Sequence, residues 1–445
     1  MTQDLTIPIL EDIYDSIITT DFLHNKERED LQECILKLIY DFMTNNPHII
    51  ADENFDSLLQ EYVEEEVSIL IENVVINEVF LEELEELVEE SIGIYFSTIE
   101  EPRSFSSSEI IKEPNIKYVN NQLNYLRNLP QPVQRTPEWY TCRHNLITAS
   151  NAYKTFESEA NRNQLIFEKC KPLIIEEKTT SKAVNTDSPL HWGQKYEPLS
   201  VLFYEYLYKT KVEDFGCIIH KHYKFLGASP DGINVDETNK RFGRMLEIKN
   251  IVNREITGIP KKEYWVQTQL QMEVCELNEC DFLETKFDEF ESAEKYEEDN
   301  TSVIKGIILY FNGKAGDPRY IYKPLDLIDS SKIDEWQETH INEMEKNNYI
   351  WIKNIYWKLS HYSCVLVTHN KHWFSRNVHA LVDLWDIIEK ERNTGFEHRQ
   401  PKKKNKTISG LDIDITCTGT NNGHSNESAG CLLHLDKDTR IVSLK

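Results

Sequence analysis

Between Phe215 and Asn250 the chain reads as successive strands, and this stretch constrains the fold more than any other. Ala228-Ser229-Pro230-Asp231-Gly232 ends one strand at a tight turn, because Pro and Gly punctuate extended runs. Leu246-Glu247-Ile248-Lys249-Asn250 lies within the next. A period of two sends Glu247 and Lys249 to one face of that strand and Leu246 and Ile248 to the other. Asp231 precedes Glu247 by 16 residues, across an expected hairpin. One acid at a strand end and a Glu-x-Lys on its neighbour can therefore converge.

Carboxylates brought together repel, and each raises the other's pKa unless a cation intervenes. Hard oxygen donors select Mg²⁺ or Mn²⁺, and a lysine on the same face can steady developing negative charge. Such a group suits phosphodiester hydrolysis. The bland alternative is an ordinary turn aspartate beside a solvated Glu/Lys pair.

Three further blocks bear on the same chemistry. In 261–277, Val266, Leu270, Val274 and Leu277 form an apolar stripe, while Tyr264, Gln267 and Gln271 share another helix face. Those glutamines either line an acidic site or simply make a polar surface. In 191–208, Leu199, Leu202, Phe203, Tyr206 and Leu207 mark an amphipathic helix, with Glu197 expected in its first turn, as a dipole partner or a metal ligand. In 135–150, Thr148 or Ser150 is expected to cap a following helix, and Arg143 and Ser150 suit a phosphate. A surface salt bridge and a plain cap are their structural alternatives.

Charge separates the chain into regions. Residues 1–115 carry 29 acidic and 5 basic side chains; of 76 acidic and 49 basic in all, 47 and 44 remain for the other 330. The formal charge of −27 thus belongs to the N-terminal region, and the nearly neutral remainder can still hold a local positive groove. Helical spacing in 31–42 and again in 54–96 makes 1–99 an all-helical acidic domain, either merely solvated or an arm for a partner. Pro and a Ser run make 100–115 a linker; 116–390 is the catalytic domain, with 286–300 an exposed acidic insertion; 391–445 is a basic, largely disordered tail. Lys402-Lys403-Lys404 within 401–406 reads as an import signal or a DNA-tracking patch. Nine scattered cysteines, without a CxxC pair, are expected to be reduced thiols. No apolar run approaches the roughly 20 residues of a membrane span, and the start lacks signal-peptide character. The expectation is a soluble intracellular protein.

Taken in order, RTPEWYxxRxxxITAS, GxxxE, GASPDG, LEIK and YxxQxQ, over about residues 134–285, resemble the YqaJ-type viral recombinase, or lambda-exonuclease-like, family. The resemblance implies an α/β PD-(D/E)xK restriction-endonuclease-like core, a central mixed sheet flanked by helices. It implies a 5′→3′ exonuclease on double-stranded DNA ends, serving recombination, repair or viral genome processing. The alternatives are an endonuclease on the same fold and an inactive DNA-binding or assembly subunit. By resemblance, Asp231 and Glu247 bind metal with the Ile248 carbonyl, Lys249 and Gln267 are catalytic, and Glu197 serves the second of two Mg²⁺ or Mn²⁺ ions. Arg143, Ser150 and Ser229 match phosphate contacts. The family further implies a homo-oligomer, and a single-strand annealing or replication partner would meet the N-terminal region. A large DNA virus would place the protein in host cytoplasm or nucleus. Two departures stand out: a charged insert, 235–244, and Asn250-Ile251 where the family has Cys-Pro.

Overall fold

The structure, a computed structural model, describes residues 25–71, 78–106, 113–134, 136–174, 185–186, 188–314 and 316–400, with the backbone of 433–435 and 442–444. Three helices come first: α1 (Asn25–Asn45), α2 (Phe55–Leu70) and α3 (Glu78–Thr98). Leu31, Ile35, Ile39 and Phe42 on α1, and Phe55, Leu59, Val63 and Val67 on α2, recur every three or four residues and are buried. Glu61, Glu65, Glu82, Glu85, Glu86, Glu89 and Glu90 point outward and stay exposed. The expected 54–96 tract is therefore two helices.

The central element is an eight-stranded mixed sheet. Its strands are β1 (Phe105–Ser106), β3 (Val212–Glu213), β6 (Gly232–Asn234), β7 (Met245–Asn250), β8 (Glu279–Glu289), β9 (Lys305–Asn312), β10 (Pro318–Tyr322) and β11 (Ile350–Thr368). They run in the order β10-β9-β11-β8-β7-β6-β3, with β1 on β11. β7 and β8 are parallel, and the other neighbours are antiparallel. A parallel pair needs a crossover, which helix α9 (Lys262–Cys275) supplies. A small sheet joins β2 (Ile147–Thr148), β5 (Leu226–Ala228) and β4 (Ile218–Ile219). The remaining helices are α4 (Ile116–Asn128), α5 (Pro137–His144), α6 (Ala149–Ala152), α7 (Glu159–Cys170), α8 (Pro189–Tyr208), α10 (Ala293–Glu298), α11 (Ser330–Lys346) and α12 (Lys371–Thr394). This is the α/β architecture expected, a mixed sheet flanked by helices.

Both faces of β7 are covered. Leu246 and Ile248 pack with Phe203 and Tyr204 of α8 and Leu283 of β8, whereas Glu247 meets the glutamines of α9. The glycine after Asp231 allows this crowding, because a Cβ there would come within 2.1 Å of Val212 Cγ1 on β3.

Several expectations change. β8 runs on to Glu289 with Phe287 buried, since β11 pairs with it throughout, so the polar insertion begins later than 286 and holds α10. The expected linker is partly interior: Arg103 donates from Nε to Ile50 O (3.1 Å) and from Nη2 to Ala51 O (3.0 Å) and Pro260 O, and its carbonyl accepts from Trp265 Nε1 (2.8 Å). Glu100 is buried against Arg376 (3.0 Å) and Asn370. The acidic helices thus share a hydrophobic core with α9 and α12. The charged 235–244 insert turns its arginines inward: Arg244 reaches Glu279 (2.8 Å) and Asp281 (3.1 Å), and Arg241 pairs with Asp281. Seven described cysteines are free. No described helix is long and apolar enough to cross a membrane. β12 (Leu433–Leu435) pairs with β13 (Val442–Leu444); the rest of the expected basic tail beyond residue 400, with the lysine cluster of 401–406, lies outside the described residues.

Candidate active site

Asp231 closes the turn between β5 and β6, and its position is set by the ladder itself. Its N–H donates to Leu246 O (3.1 Å) and its Oδ2 accepts from Ile248 N (2.7 Å). The hairpin register pairs Gly232 with Leu246, so Asp231 faces the segment carrying Glu247 and Lys249. Glu247 is 1% exposed, and both its oxygens are occupied. Oε1 accepts from Lys249 Nζ and from Gln267 Nε2 (2.7 Å); Oε2 accepts from Gln271 Nε2 (2.6 Å). Gln267 Oε1 in turn accepts from Lys249 (3.3 Å), which fixes which way that amide points. Lys249 Nζ also lies 4.8 Å from the centre of the Tyr264 ring.

Electrostatics follow from this crowding. Burial, then the charges of Glu247 and Glu197, push the Asp231 carboxyl well above the usual carboxylate range. Burial works against the Lys249 ammonium, but Glu247 and Asp231 outweigh it and hold its pKa above the ordinary value. Two carboxylates thus compete for one lysine, and a divalent cation would relieve them.

Asp231, Glu247, Ile248, Lys249, Gln267, Glu197, Ser229, Arg143 and Ser150, chosen from sequence alone, all line one cleft of about 270 Å³. Glu197 corrects the sequence reading. Ser188 caps α8 and Pro189 opens it, so Glu197 stands in the third turn beside Pro198, where a helix-dipole role lapses. Its charge reaches Tyr322, whose phenol pKa is raised by burial, then by Tyr320 and Glu197. Ser150 accepts from Arg143 Nη2 (3.3 Å) and lies 3.2 Å from Thr148 Oγ1. Ser150 caps no helix; Thr148 is the N-cap residue of α6, though its side chain makes no capping bond, and Ser158 caps α7. The Ser229 hydroxyl is buried without a hydrogen-bond partner.

Sequence reasoning missed the supports. The Arg143 guanidinium lies 4.6 Å from the Trp139 ring centre, and burial lowers its pKa. Lys169 donates to Arg143 O (2.7 Å), and Arg392 donates to His144 O (3.1 Å), tying down the end of α5. Trp139 and Gln134 also line the cleft. Only the tryptophan's four-residue spacing from Arg143 was legible beforehand.

The donors suit a hard cation that keeps much of its water. Among the described residues no cluster of three or more His, Cys, Asp or Glu forms a ready cage. Mg²⁺ sites commonly use one or two carboxylates and water, which Asp231 and Glu247 can supply.

Comparison with known proteins shows what the chain is similar to. Residues 138–278 match the YqaJ-like viral recombinase domain. An uncharacterized protein of Acanthamoeba polyphaga mimivirus is 28% identical over 317 residues, 63% of this chain and 57% of that protein. The chain therefore spans little more than half the length of the relative it matches. An alkaline exonuclease from Laribacter hongkongensis is 18% identical, with a TM-score of 0.34 over 59% of this chain and 100% of that one. The same exonuclease in complex with dAMP gives 18% and 0.34 over 58% and 95%. The matched segment, residues 138–278, contains every cleft residue named above except Gln134.

Proposed function

We propose that this chain is a metal-dependent deoxyribonuclease, a 5′→3′ exonuclease acting on double-stranded DNA ends in recombination, repair or viral genome processing. The convergence of Asp231, Glu247, Lys249 and Gln267 with Arg143, Ser150 and Ser229 in one cleft of a YqaJ-like domain carries this reading. Asp231, Glu247 and the Ile248 carbonyl would hold one Mg²⁺ or Mn²⁺, and Glu197 would serve a second. When bound, such ions polarise a phosphoryl oxygen and lower the pKa of a coordinated water.

The chain's own residues supply the rest. Lys249, kept charged by Glu247 and Asp231, stands ready to stabilise charge developing on the scissile phosphate. Gln267 spans Lys249 and Glu247 and keeps the ammonium on the cleft side. Arg143, Ser150 and Ser229 offer a guanidinium and two hydroxyls to a phosphate, and the buried, unpartnered Ser229 Oγ gains an acceptor when one arrives.

The test uses end-labelled linear duplex and closed circular DNA, with Mg²⁺ and with EDTA. The wild type should shorten the linear duplex from its 5′ ends only with metal and spare the circle, while Lys249→Ala and Asp231→Ala fail. Cutting of the circle would make it an endonuclease. Binding without cleavage of either substrate would refute the catalytic reading and leave a DNA-binding subunit.

A further inference from the structure

Helix α8 carries Glu197 immediately before an interior proline. Pro198 has no N–H, so the bond that residue 198 would make to the carbonyl of Gln194 is absent, and its ring crowds that carbonyl. An interior break of this kind normally loosens a turn. Here the carbonyls on either side of Gln194 both accept donors from outside the helix. Gly193 O accepts from Asn250 Nδ2 (3.3 Å), at the end of β7, and Lys195 O accepts from Tyr322 OH (2.5 Å), at the end of β10.

Asn250 is anchored for this task. Its Oδ1 lies 2.7 Å from Ser200 Oγ on α8 and 2.9 Å from Thr285 Oγ1 on β8, and the two hydroxyls are 2.9 Å apart. Gly193 O can only accept, so the amide turns its nitrogen to that carbonyl and its oxygen to the two hydroxyls, which can donate. Cysteine at this position, as in the family pattern, offers no amide for the carbonyl. Asn250 thus ties the turn that bears Glu197 to the strand that bears Glu247 and Lys249, and Tyr322 ties it to β10.

We propose that Asn250 and Tyr322 are positioning residues that clamp the Pro198 turn of α8 and so hold Glu197 at the cleft, making the second cation position depend on Asn250. This rests on the nuclease reading, specifically on Glu197 as a ligand.

The experiment is calorimetric titration of Mn²⁺ into full-length protein without DNA, for wild type, Glu197→Gln, Asn250→Ala, Asn250→Asp and Tyr322→Phe, with circular dichroism to show that each is folded. The expected result is two binding steps in wild type. Asn250→Ala and Tyr322→Phe should weaken only the weaker step, by about tenfold or more, as Glu197→Gln does. Asn250→Asp keeps the acceptor but loses the donor to Gly193 O, and should resemble Asn250→Ala. If Glu197→Gln loses that step while the Asn250 and Tyr322 variants bind as wild type does, the clamp is refuted and the nuclease reading stands. A Glu197→Gln variant that keeps both steps, or a wild type that shows one, refutes the clamp's purpose, and the linear-duplex assay then judges the nuclease reading separately. Should Asn250→Ala fail to fold, Tyr322→Phe, which keeps its ring, decides alone.

Discussion

Gln271→Leu isolates the part that α9 plays in holding the Glu247 carboxylate. Gln271 is fully buried; its Nε2 donates to Glu247 Oε2 (2.6 Å) and to Ser229 O (3.2 Å), while its Oε1 has no partner. Leucine keeps the approximate volume and removes all three polar relationships. The bond to the carboxylate contributes about 2 kcal/mol and that to the carbonyl about 1 kcal/mol; relief of the orphaned Oε1 offsets about 1 kcal/mol. A net loss of about 2 kcal/mol follows, roughly a thirtyfold change in the folded-to-unfolded ratio. Urea denaturation followed by tryptophan fluorescence reads the midpoint shift, with wild type beside it. Cleavage of linear duplex should fall by about tenfold to a hundredfold, because a carboxylate held by one side only no longer keeps its orientation. An unchanged midpoint together with unchanged cleavage would refute the argument that Gln271 holds Glu247. An unchanged midpoint with lost cleavage would refute the energetic estimate alone.

Arg143→Lys keeps a charge but loses the planar fork, and should reduce the preference for 5′-phosphorylated over dephosphorylated ends by about tenfold to a hundredfold, read from digestion rates of the two substrates. Asp281→Asn leaves Arg241 and Arg244 without their shared buried counter-charge and should destabilise the protein by about 3–5 kcal/mol, measured by denaturation. Burial alone would raise the Glu273 pKa, but the imidazoles of His220 (3.4 Å) and His369 (2.9 Å) bring it down to about 2. A lowered carboxylate pKa stabilises the fold above the unfolded value near 4.5 and loses that stability as pH falls towards 2. Glu273→Gln should therefore flatten acid unfolding between about pH 4.5 and 2, as followed by circular dichroism. An unaltered acid limb would refute the assignment.

The local part of the site was legible because its rules act within a few residues. Pro-Asp-Gly ends a strand, a period of two pairs Glu247 with Lys249, and helical spacing brings Gln267 and Gln271 to one face; each follows from backbone geometry that every chain shares. The acidic helices were legible likewise, from apolar residues recurring every three or four positions. What no spacing reveals is the partner of a group far away in the chain. Gln271 reads as part of an acidic site or of a polar surface until β7 runs beneath α9 and buries it. Arg241 and Arg244 read as a charged loop until Asp281, on β8, draws them inward. Arg103 sits in a segment with every mark of a linker, yet three carbonyls from two distant loops claim its guanidinium. Glu197 read as a first-turn acid because the helix start was placed too late, and a proline inside a helix argues for an end rather than a continuation. Tertiary packing reversed that, since Asn250 and Tyr322 brace the carbonyls on either side of the missing bond. Sequence singled out the residues that the cleft gathers, because those patterns are local; the fold decided how each is held, because burial makes distant polar groups satisfy one another.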